Sequence, residues 1–260
     1  MSALADRFDT AVNLATEAGA LALRMWPRAG SLSGTLKGPQ DWLTEADGAV
    51  ERLISERLAR AYPADGFQGE ESGSTRSGSP RWVLDPIDGT ANFMRGGSRF
   101  CVSLGCLDGD IPVIGAIVAP ALRQTFAACQ GAGATLNGSP IRAAETTDLA
   151  RSTVEIGWSP RRPREAFLEL ADNVIAAGAI PRLTGSGSLG LAGVAAGLTD
   201  GYVELHINIW DVAASLSILA EAGATVSNFM AGNGATKGNP ILAAAPAIAT
   251  ALSAVARIAL

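Results

Sequence analysis

Asp85-Pro86-Ile87-Asp88-Gly89-Thr90 places two carboxylates three positions apart, at the end of the apolar run Trp82-Val83-Leu84. The proline between them stiffens the backbone. A chain that turns at Gly89 presents the amides of Gly89 and Thr90 to an anion, more so where a helix begins. Carboxylates held this rigidly suit Mg²⁺, which takes hard oxygen ligands in near-octahedral geometry and keeps several waters. The same residues also read as a strand-ending turn, because Asp-Pro and Asp-Gly are common turn pairs. Three further acidic positions share this double reading. Glu70-Glu71 stands in a Gly/Ser loop fifteen residues before Asp85, where solvated acids are ordinary. Asp211, between Trp210 and Val212-Ala213-Ala214, is expected as a helix N-cap, and an acid at a helix start can also face a cation. Asp47 closes Thr44-Glu45-Ala46-Asp47, the pattern of a capping box with Thr44 as N-cap.

The rest of the composition narrows the chemistry. The 260 residues carry 20 Lys+Arg against 25 Asp+Glu, a formal charge of −5, and the five acids Asp47, Glu70, Asp85, Asp88 and Asp211 match that excess. No basic run exceeds two residues, which argues against a nucleic-acid partner that needs its phosphates neutralised. With 48% hydrophobic and 17% charged residues the chain has the makings of a packed core rather than a disordered ensemble. One histidine, His206, excludes His-rich zinc sites and paired-imidazole catalysis; it is expected to be structural or peripheral to substrate. Cys101, Cys106 and Cys129 show no CxxC spacing and are expected as small core residues. Asp6, Asp9 and Glu17 break any secretory pattern in the first 25 residues. The longest nearly uncharged stretch, Ile241 to Ala256, contains Pro246 and falls short of the ~20 residues that span a bilayer. A soluble, cytoplasmic protein with no membrane partner is expected.

These residues need elements to position them. Leu4, Phe8, Val12, Ala15, Ala18 and Ala22 form one stripe of a helix from Leu4 to Met25, ending before Pro27. A Gly/Ser-rich loop follows, then a helix from Thr44 to about Ala61. Gly69 to Pro80 is expected to be turn-forming, and a strand begins at Arg81 to Leu84. Short strands at Phe100 to Leu107, Val113 to Ala119 and Gln124 to Cys129, with a hairpin tip at Asn137-Gly138, predict a largely antiparallel sheet. Beyond residue 145 the pattern alternates. Strands at Thr153 to Gly157, Ile180 to Leu183, Gly201 to Leu205 and Ile241 to Ala245 interleave with helices at Arg164 to Ala177, Ser188 to Ala196, Val212 to Ala222 and Pro246 to Ile258. That predicts a mixed or parallel sheet covered by helices. The expectation is an α/β protein with an α+β-like first half, residues 1–145 and 146–260 forming two halves of one unit.

Taken together, Thr44 to Asp47, Gly69-Glu70-Glu71, Trp82 to Phe93 and Trp210 to Ala214 resemble, in order, the sequence elements of the inositol monophosphatase family, Mg²⁺-dependent, lithium-sensitive sugar phosphatases. The resemblance covers essentially the whole chain. It implies a layered α-β-α-β-α sandwich, a homodimer and two or three Mg²⁺ per site. By position it implies that Glu70, Asp85 and the Ile87 carbonyl bind one metal, and that Asp85, Asp88 and Asp211 bind a second. Thr90 and Asp47 match the pair that orients and helps deprotonate the attacking water. Asp88 and the amides of Gly89 and Thr90 match contacts to the substrate, the amides as the phosphate cradle. Gly185 to Ser188, with Ser186 and Gly187 central, and Glu204 match residues that meet the alcohol. Two metals about 3.5–4 Å apart can stabilise both the attacking and the leaving oxygen without any histidine. The implied substrate is a small phosphorylated alcohol, inositol 1-phosphate first and L-histidinol phosphate second; a bisphosphate is disfavoured by the lack of an obvious Arg/Lys pair. Some family members instead bind the transcription machinery, a reading of another class. Two positions depart from the pattern. Leu36 stands where the family commonly has a basic residue, with Lys37 one later, and Ala224 replaces a glycine after Glu221-Ala222-Gly223.

Overall fold

The computed structural model describes residues 3–27, 35–38 and 41–260, with only the backbone course of the stretches 35–38 and 41–43. The side chain of Lys37 and the Gly/Ser-rich loop before it lie outside the described residues. Apolar periodicity shapes the first element, α1 (Ala3–Met25), which buries Ala11, Leu14, Ala15, Ala18 and Ala22 and partly covers Leu4, Phe8 and Val12. A two-stranded ribbon, β1 (Thr35–Gly38) and β2 (Asp41–Leu43), leads into α2 (Glu45–Ala61), which has Thr44 as N-cap and Asp47 closing the expected capping box.

Eight strands then build the first sheet: β3 (Gly66–Gly69), β4 (Gly73–Arg76), β5 (Arg81–Asp88), β6 (Cys101–Asp108), β7 (Ile111–Ala119), β8 (Gln124–Cys129), β9 (Gly133–Leu136) and β10 (Ser139–Pro140). The short helix α3 (Thr90–Met94) lies between β5 and β6. The spatial order is β10-β9-β8-β7-β6-β5-β3-β4. Every neighbour is antiparallel except β3, which runs parallel to β5. The hairpin tip at Asn137-Gly138 has positive φ at both residues, as a tight turn between right-twisted strands requires. β3 and β4 occupy part of the stretch expected to be turn-forming. Their Gly- and Ser-rich sequences carry no apolar alternation, and their strand state comes from pairing with β5 rather than from local preference.

The second sheet contains β11 (Thr153–Ile156), β12 (Ile180–Arg182), β13 (Gly201–Ile207), β14 (Thr225–Val226) and β15 (Asn239–Ala244), in the order β12-β11-β13-β15-β14. β11, β12 and β13 are parallel, while β15 is antiparallel to β13 and β14, giving the expected mixed sheet. Its helices are α4 (Arg164–Ala176), α5 (Gly187–Ala195), α6 (Ile209–Glu221), α7 (Gly234–Lys237) and α8 (Ala249–Ala256). The last helix is shorter than expected because Pro246–Ile248 forms a separate 3₁₀ turn.

Three apolar cores define the layers. One joins α1 and α2 to the first sheet, a second fills the space around α5 and α6 between the sheets, and a third lies between the second sheet and α4 with α8. The result is an α-β-α-β-α sandwich. β5 runs through the centre and is buried on both faces: Trp82 and Leu84 enter the α1/α2 core, and Val83 enters the α5/α6 core. α6 lies almost on the backbone of the first sheet. A Cβ on Gly105 of β6 would stand 2.7 Å from the Ala213 carbonyl carbon, and one on Gly115 of β7 only 2.1 Å from the Ala214 oxygen. Those two glycines therefore set how closely the start of α6 approaches the end of β5. Among the described residues no helix is long and apolar enough to cross a membrane.

Candidate metal centre and substrate cleft

β5 delivers Asp85 and Asp88 side by side, 2% and 8% exposed. The Asp85 Oδ1 accepts the Ile87 amide at 3.0 Å. Gly89 then takes φ = 86°, a left-handed conformation open to glycine, and α3 starts at Thr90. The Thr90 hydroxyl donates to the Ile87 carbonyl at 2.8 Å. Asp47, fully buried, uses Oδ2 to accept the Thr44 amide at 2.7 Å and the Thr44 hydroxyl at 2.5 Å. Its Oδ1 is buried with no hydrogen-bond partner among the described residues.

α6 supplies the third acid. Asp211 was expected at the N-cap, but Asn208 holds that place and Asp211 sits three residues in. From there its Oδ2 accepts the Asn208 amide at 2.9 Å, closing a second capping box. The residue after this cap, Ile209, is indistinguishable in sequence from an apolar residue outside the helix, which is why the helix starts earlier than expected. One carboxylate oxygen each from Asp85, Asp88 and Asp211 lie within 4.8 Å of one another. Glu70 lines the same cleft, its amide bonded to the Leu84 carbonyl at 3.0 Å.

Crowding acids in a dry site raises the cost of charging them. Burial pushes Asp85 well above the usual carboxylate range, and the charges of Glu70, Asp88, Asp211 and Asp47 push it further. Burial likewise lifts Asp211 to about 7 and Asp47 to about 6. Asp88 is also raised by burial, against the donors that hold it: the Ser186 hydroxyl at 2.5 Å and the amides of Ser188 and Gly187 at 2.9 and 3.2 Å. The Cys101 thiol, 3.6 Å from Asp88, is held protonated by burial. His206 lines the cleft, and its Nε2 is engaged by the Lys237 carbonyl at 2.9 Å.

The cleft encloses about 610 Å³. Glu70, Asp85, Ile87, Asp88, Gly89, Thr90, Ser186, Gly187, Glu204 and Asp211, all expected from sequence, line it together; Asp47 is not part of its wall. Ser186 and Gly187 begin α5, so Asp88 reaches across from β5 to the N-terminus of that helix, where a negative charge is favoured. The Asn92 side-chain amide ties the same two regions, donating to the carbonyls of Arg99 and Thr184 at 2.9 Å each. Glu204 accepts the Tyr202 hydroxyl at 2.6 Å, and burial raises it to about 8.

Sequence reasoning missed part of this wall. Glu155, buried on β11, accepts the Thr184 hydroxyl and pairs with Arg99 at 3.3 Å. Tyr202, Arg161, Trp158 and Phe167 also line the cleft. The usable signal was an acid inside an otherwise apolar strand, as in Thr153-Val154-Glu155-Ile156 and Tyr202-Val203-Glu204-Leu205. Carboxylates in buried strands need a partner or a function.

Comparison with known proteins agrees with this geometry. Residues 4–259 match the model of the inositol monophosphatase family. The chain is 37% identical to the Nus factor SuhB of Xylella fastidiosa, over 84% of this chain and 80% of that one. It is 34% identical to the inositol-1-monophosphatase of Mesorhizobium japonicum, over 93% and 92% of the two chains. The crystal structure of the extragenic suppressor protein suhB from Bartonella henselae superposes with a TM-score of 0.87 at 33% identity, covering 95% of this chain and 96% of that one. The four short elements, the five layers and the cleft that joins them have one common explanation: the chain belongs to the inositol monophosphatase family.

Proposed function

We propose that the protein is a Mg²⁺-dependent phosphomonoesterase of the cytoplasm, working as a homodimer on a small polyol or sugar phosphate, with inositol 1-phosphate as the first substrate to test. The observation that carries this reading is the convergence of three carboxylate oxygens from β5 and α6 within 4.8 Å. The donor set fits a hard divalent cation. It consists of carboxylates and a carbonyl, crowded enough to resist ionisation when no cation is near, and Asp47 Oδ1 is an additional buried oxygen without a hydrogen-bond donor. Glu70, Asp85 and the Ile87 carbonyl would hold one Mg²⁺, and Asp85, Asp88 and Asp211 another. The Ile87 carbonyl has two lone pairs, so its bond from Thr90 leaves one for a ligand.

Bound cations supply the positive charge that an attacking water and a departing alkoxide both need, and they lower the pKa of water. The chain does the rest. The amides of Gly89 and Thr90, at the start of α3, receive the phosphate oxygens. The Thr90 hydroxyl orients the water, and Asp47, raised toward neutrality, takes up a proton at its carboxylate. Ser186, Gly187 and Glu204 hold the alcohol beyond the phosphate.

The test is phosphate release from inositol 1-phosphate, histidinol phosphate and glycerol 2-phosphate, with Mg²⁺ and with chelator. Turnover should require Mg²⁺, and Asp85→Asn should lower kcat/KM by about a hundredfold or more. The variant should melt no lower than wild type in chelator, since it removes a buried repelled charge. Near-normal turnover by this variant would refute the assignment. A second reading rests on relatives named Nus factor SuhB: binding to the transcription machinery. Stoichiometric recovery of RNA polymerase from lysate, with negligible turnover on the panel, would favour it.

A further inference from the structure

Glu51 is a buried carboxylate that the reaction outlined above does not use. It stands one helical turn after Asp47 on the inward face of α2, 6% exposed, beside Val50, Ile54 and Leu58. Among the described residues no basic side chain pairs with it. Backbone takes both of its oxygens instead: Oε2 accepts the Glu71 amide at 3.1 Å and Oε1 the Ser72 amide at 3.0 Å. Bonds to an ionised acceptor are roughly twice as strong as neutral ones, so a carboxylate that captures two successive amides fixes the loop that carries them.

That loop carries a proposed metal ligand. Gly69 and Gly73 pair across the hairpin of β3 and β4, and Glu70, Glu71 and Ser72 form its tip. A tip of two glutamates and a serine has no apolar side chain to anchor it, and such tips are ordinarily the mobile end of a hairpin. Here the tip is held from two sides. The Glu70 amide bonds to the Leu84 carbonyl at 3.0 Å, next to Asp85 on β5, and the following two amides bond to Glu51 on α2. Gly69 allows α2 to come this close, because a Cβ there would collide with the Glu51 carboxylate. Glu70 lines the cleft, while Glu51 is not part of its wall.

We propose that Glu51 is a positioning residue for the metal centre: by holding the Glu71 and Ser72 amides it sets Glu70 beside Asp85, where the two carboxylates can share a divalent cation. This rests on the metal assignment in the phosphatase reading and not on which phosphoester is cleaved. α2 then serves the centre twice, through Asp47 and, four residues later, through Glu51.

Calorimetric titration with Mg²⁺, in the absence of substrate, compares wild type, Glu51→Ala, Glu51→Gln and Asp65→Ala. Glu51→Ala should raise the Mg²⁺ dissociation constant about tenfold or more, as loss of a group that orients a metal ligand does. Glu51→Gln keeps length and volume but offers one acceptor oxygen to two amides, and should raise it roughly threefold. Asp65→Ala loosens the opposite end of β3, where Asp65 accepts from Arg7 and Trp82, and should leave the affinity unchanged. With inositol 1-phosphate, the Mg²⁺ half-saturation of phosphate release should move by the same factors, while KM for the substrate at saturating Mg²⁺ stays at the wild-type value. If Glu51→Ala does not fold, Glu51→Gln carries the comparison alone. Wild-type affinity in every folded Glu51 variant, or an equal loss in Asp65→Ala, would overturn the positioning role. Absence of Mg²⁺ binding by wild type would overturn both that role and the phosphatase reading. Glu51-dependent Mg²⁺ binding by a wild type that releases no phosphate would refute the phosphatase reading alone.

Discussion

Asp47 shows how one side chain can belong to a helix and to a site. It closes the capping box of α2 with Oδ2 and leaves Oδ1 buried without a donor. A carboxyl held at about 6 rather than 3.8 binds its proton more tightly in the folded chain than in the unfolded one. Between those values the folded state holds more protons, so stability falls as pH rises, at a full cost on the order of 3 kcal/mol. Asp211 at about 7 and Glu204 at about 8 have the same sign and extend the window upward. The metal-free protein should therefore lose Tm steadily from pH 5 to pH 8, and Mg²⁺ should restore more Tm at pH 8 than at pH 5. A melting temperature independent of pH in chelator would contradict this. Asp65 has its partners built into the fold. It accepts two bonds from the Arg7 guanidinium at 2.8 Å and one from the Trp82 indole at 3.0 Å, pinning α1 to β5. Asp65→Ala strands a buried donor and should cost about 2–4 kcal/mol in urea unfolding without changing kcat at low temperature. The capping role of Asp47 was legible in Thr44-Glu45-Ala46-Asp47, whereas this clamp could not be read from sequence, where Arg7, Asp65 and Trp82 have no common pattern.

Elements were more legible than partnerships. The stripe of α1, the capping box of α2 and the alternation after residue 145 each appear in the sequence because one buried face imposes a period. β3 and β4 did not, since a strand of glycine and serine gains its place from β5. The site acids on β5 were legible because Asp-Pro-Ile-Asp-Gly-Thr is compact in sequence; Glu155 and Tyr202 were not, because only the parallel pairing of β11 with β13 brings them to one cleft. The glycines of β6 and β7 carry a prediction at this scale. Gly115→Val places carbon where the Ala214 oxygen lies, so α6 must lift away from the sheet and carry Asp211 with it. The expected outcome is a loss of about 2 kcal/mol or more in stability together with a weaker Mg²⁺ dependence of turnover. A variant destabilised to that degree whose Mg²⁺ half-saturation stays at the wild-type value would show that α6 does not set the site.

Across the whole molecule, the excess of 25 acidic over 20 basic residues equals in number the five acids assigned to the site, Asp47, Glu70, Asp85, Asp88 and Asp211. Two divalent cations would bring it close to zero, so ligand linkage and charge balance act in the same direction. Tm should rise with the logarithm of Mg²⁺ concentration once the site begins to fill, and the slope should vanish in Asp88→Asn. The central core is shared as well: Val83 and Ile117 pack with Leu219 and Ile241 in one cluster. Fragments 1–145 and 146–260 should accordingly show no Mg²⁺-induced stabilisation alone and regain it when refolded together.

That shared cleft also has a clock in it. Asp88 and Asp211 are 123 residues apart in a chain that is made from one end. At roughly 5–20 residues per second, a ribosome delivers the third carboxylate of the cluster on the order of ten seconds after the second. During that interval the end of β5 lacks both α6 and the α5 terminus that anchors Asp88. The centre can therefore assemble only once α6 has been made, well after β5 and its two aspartates.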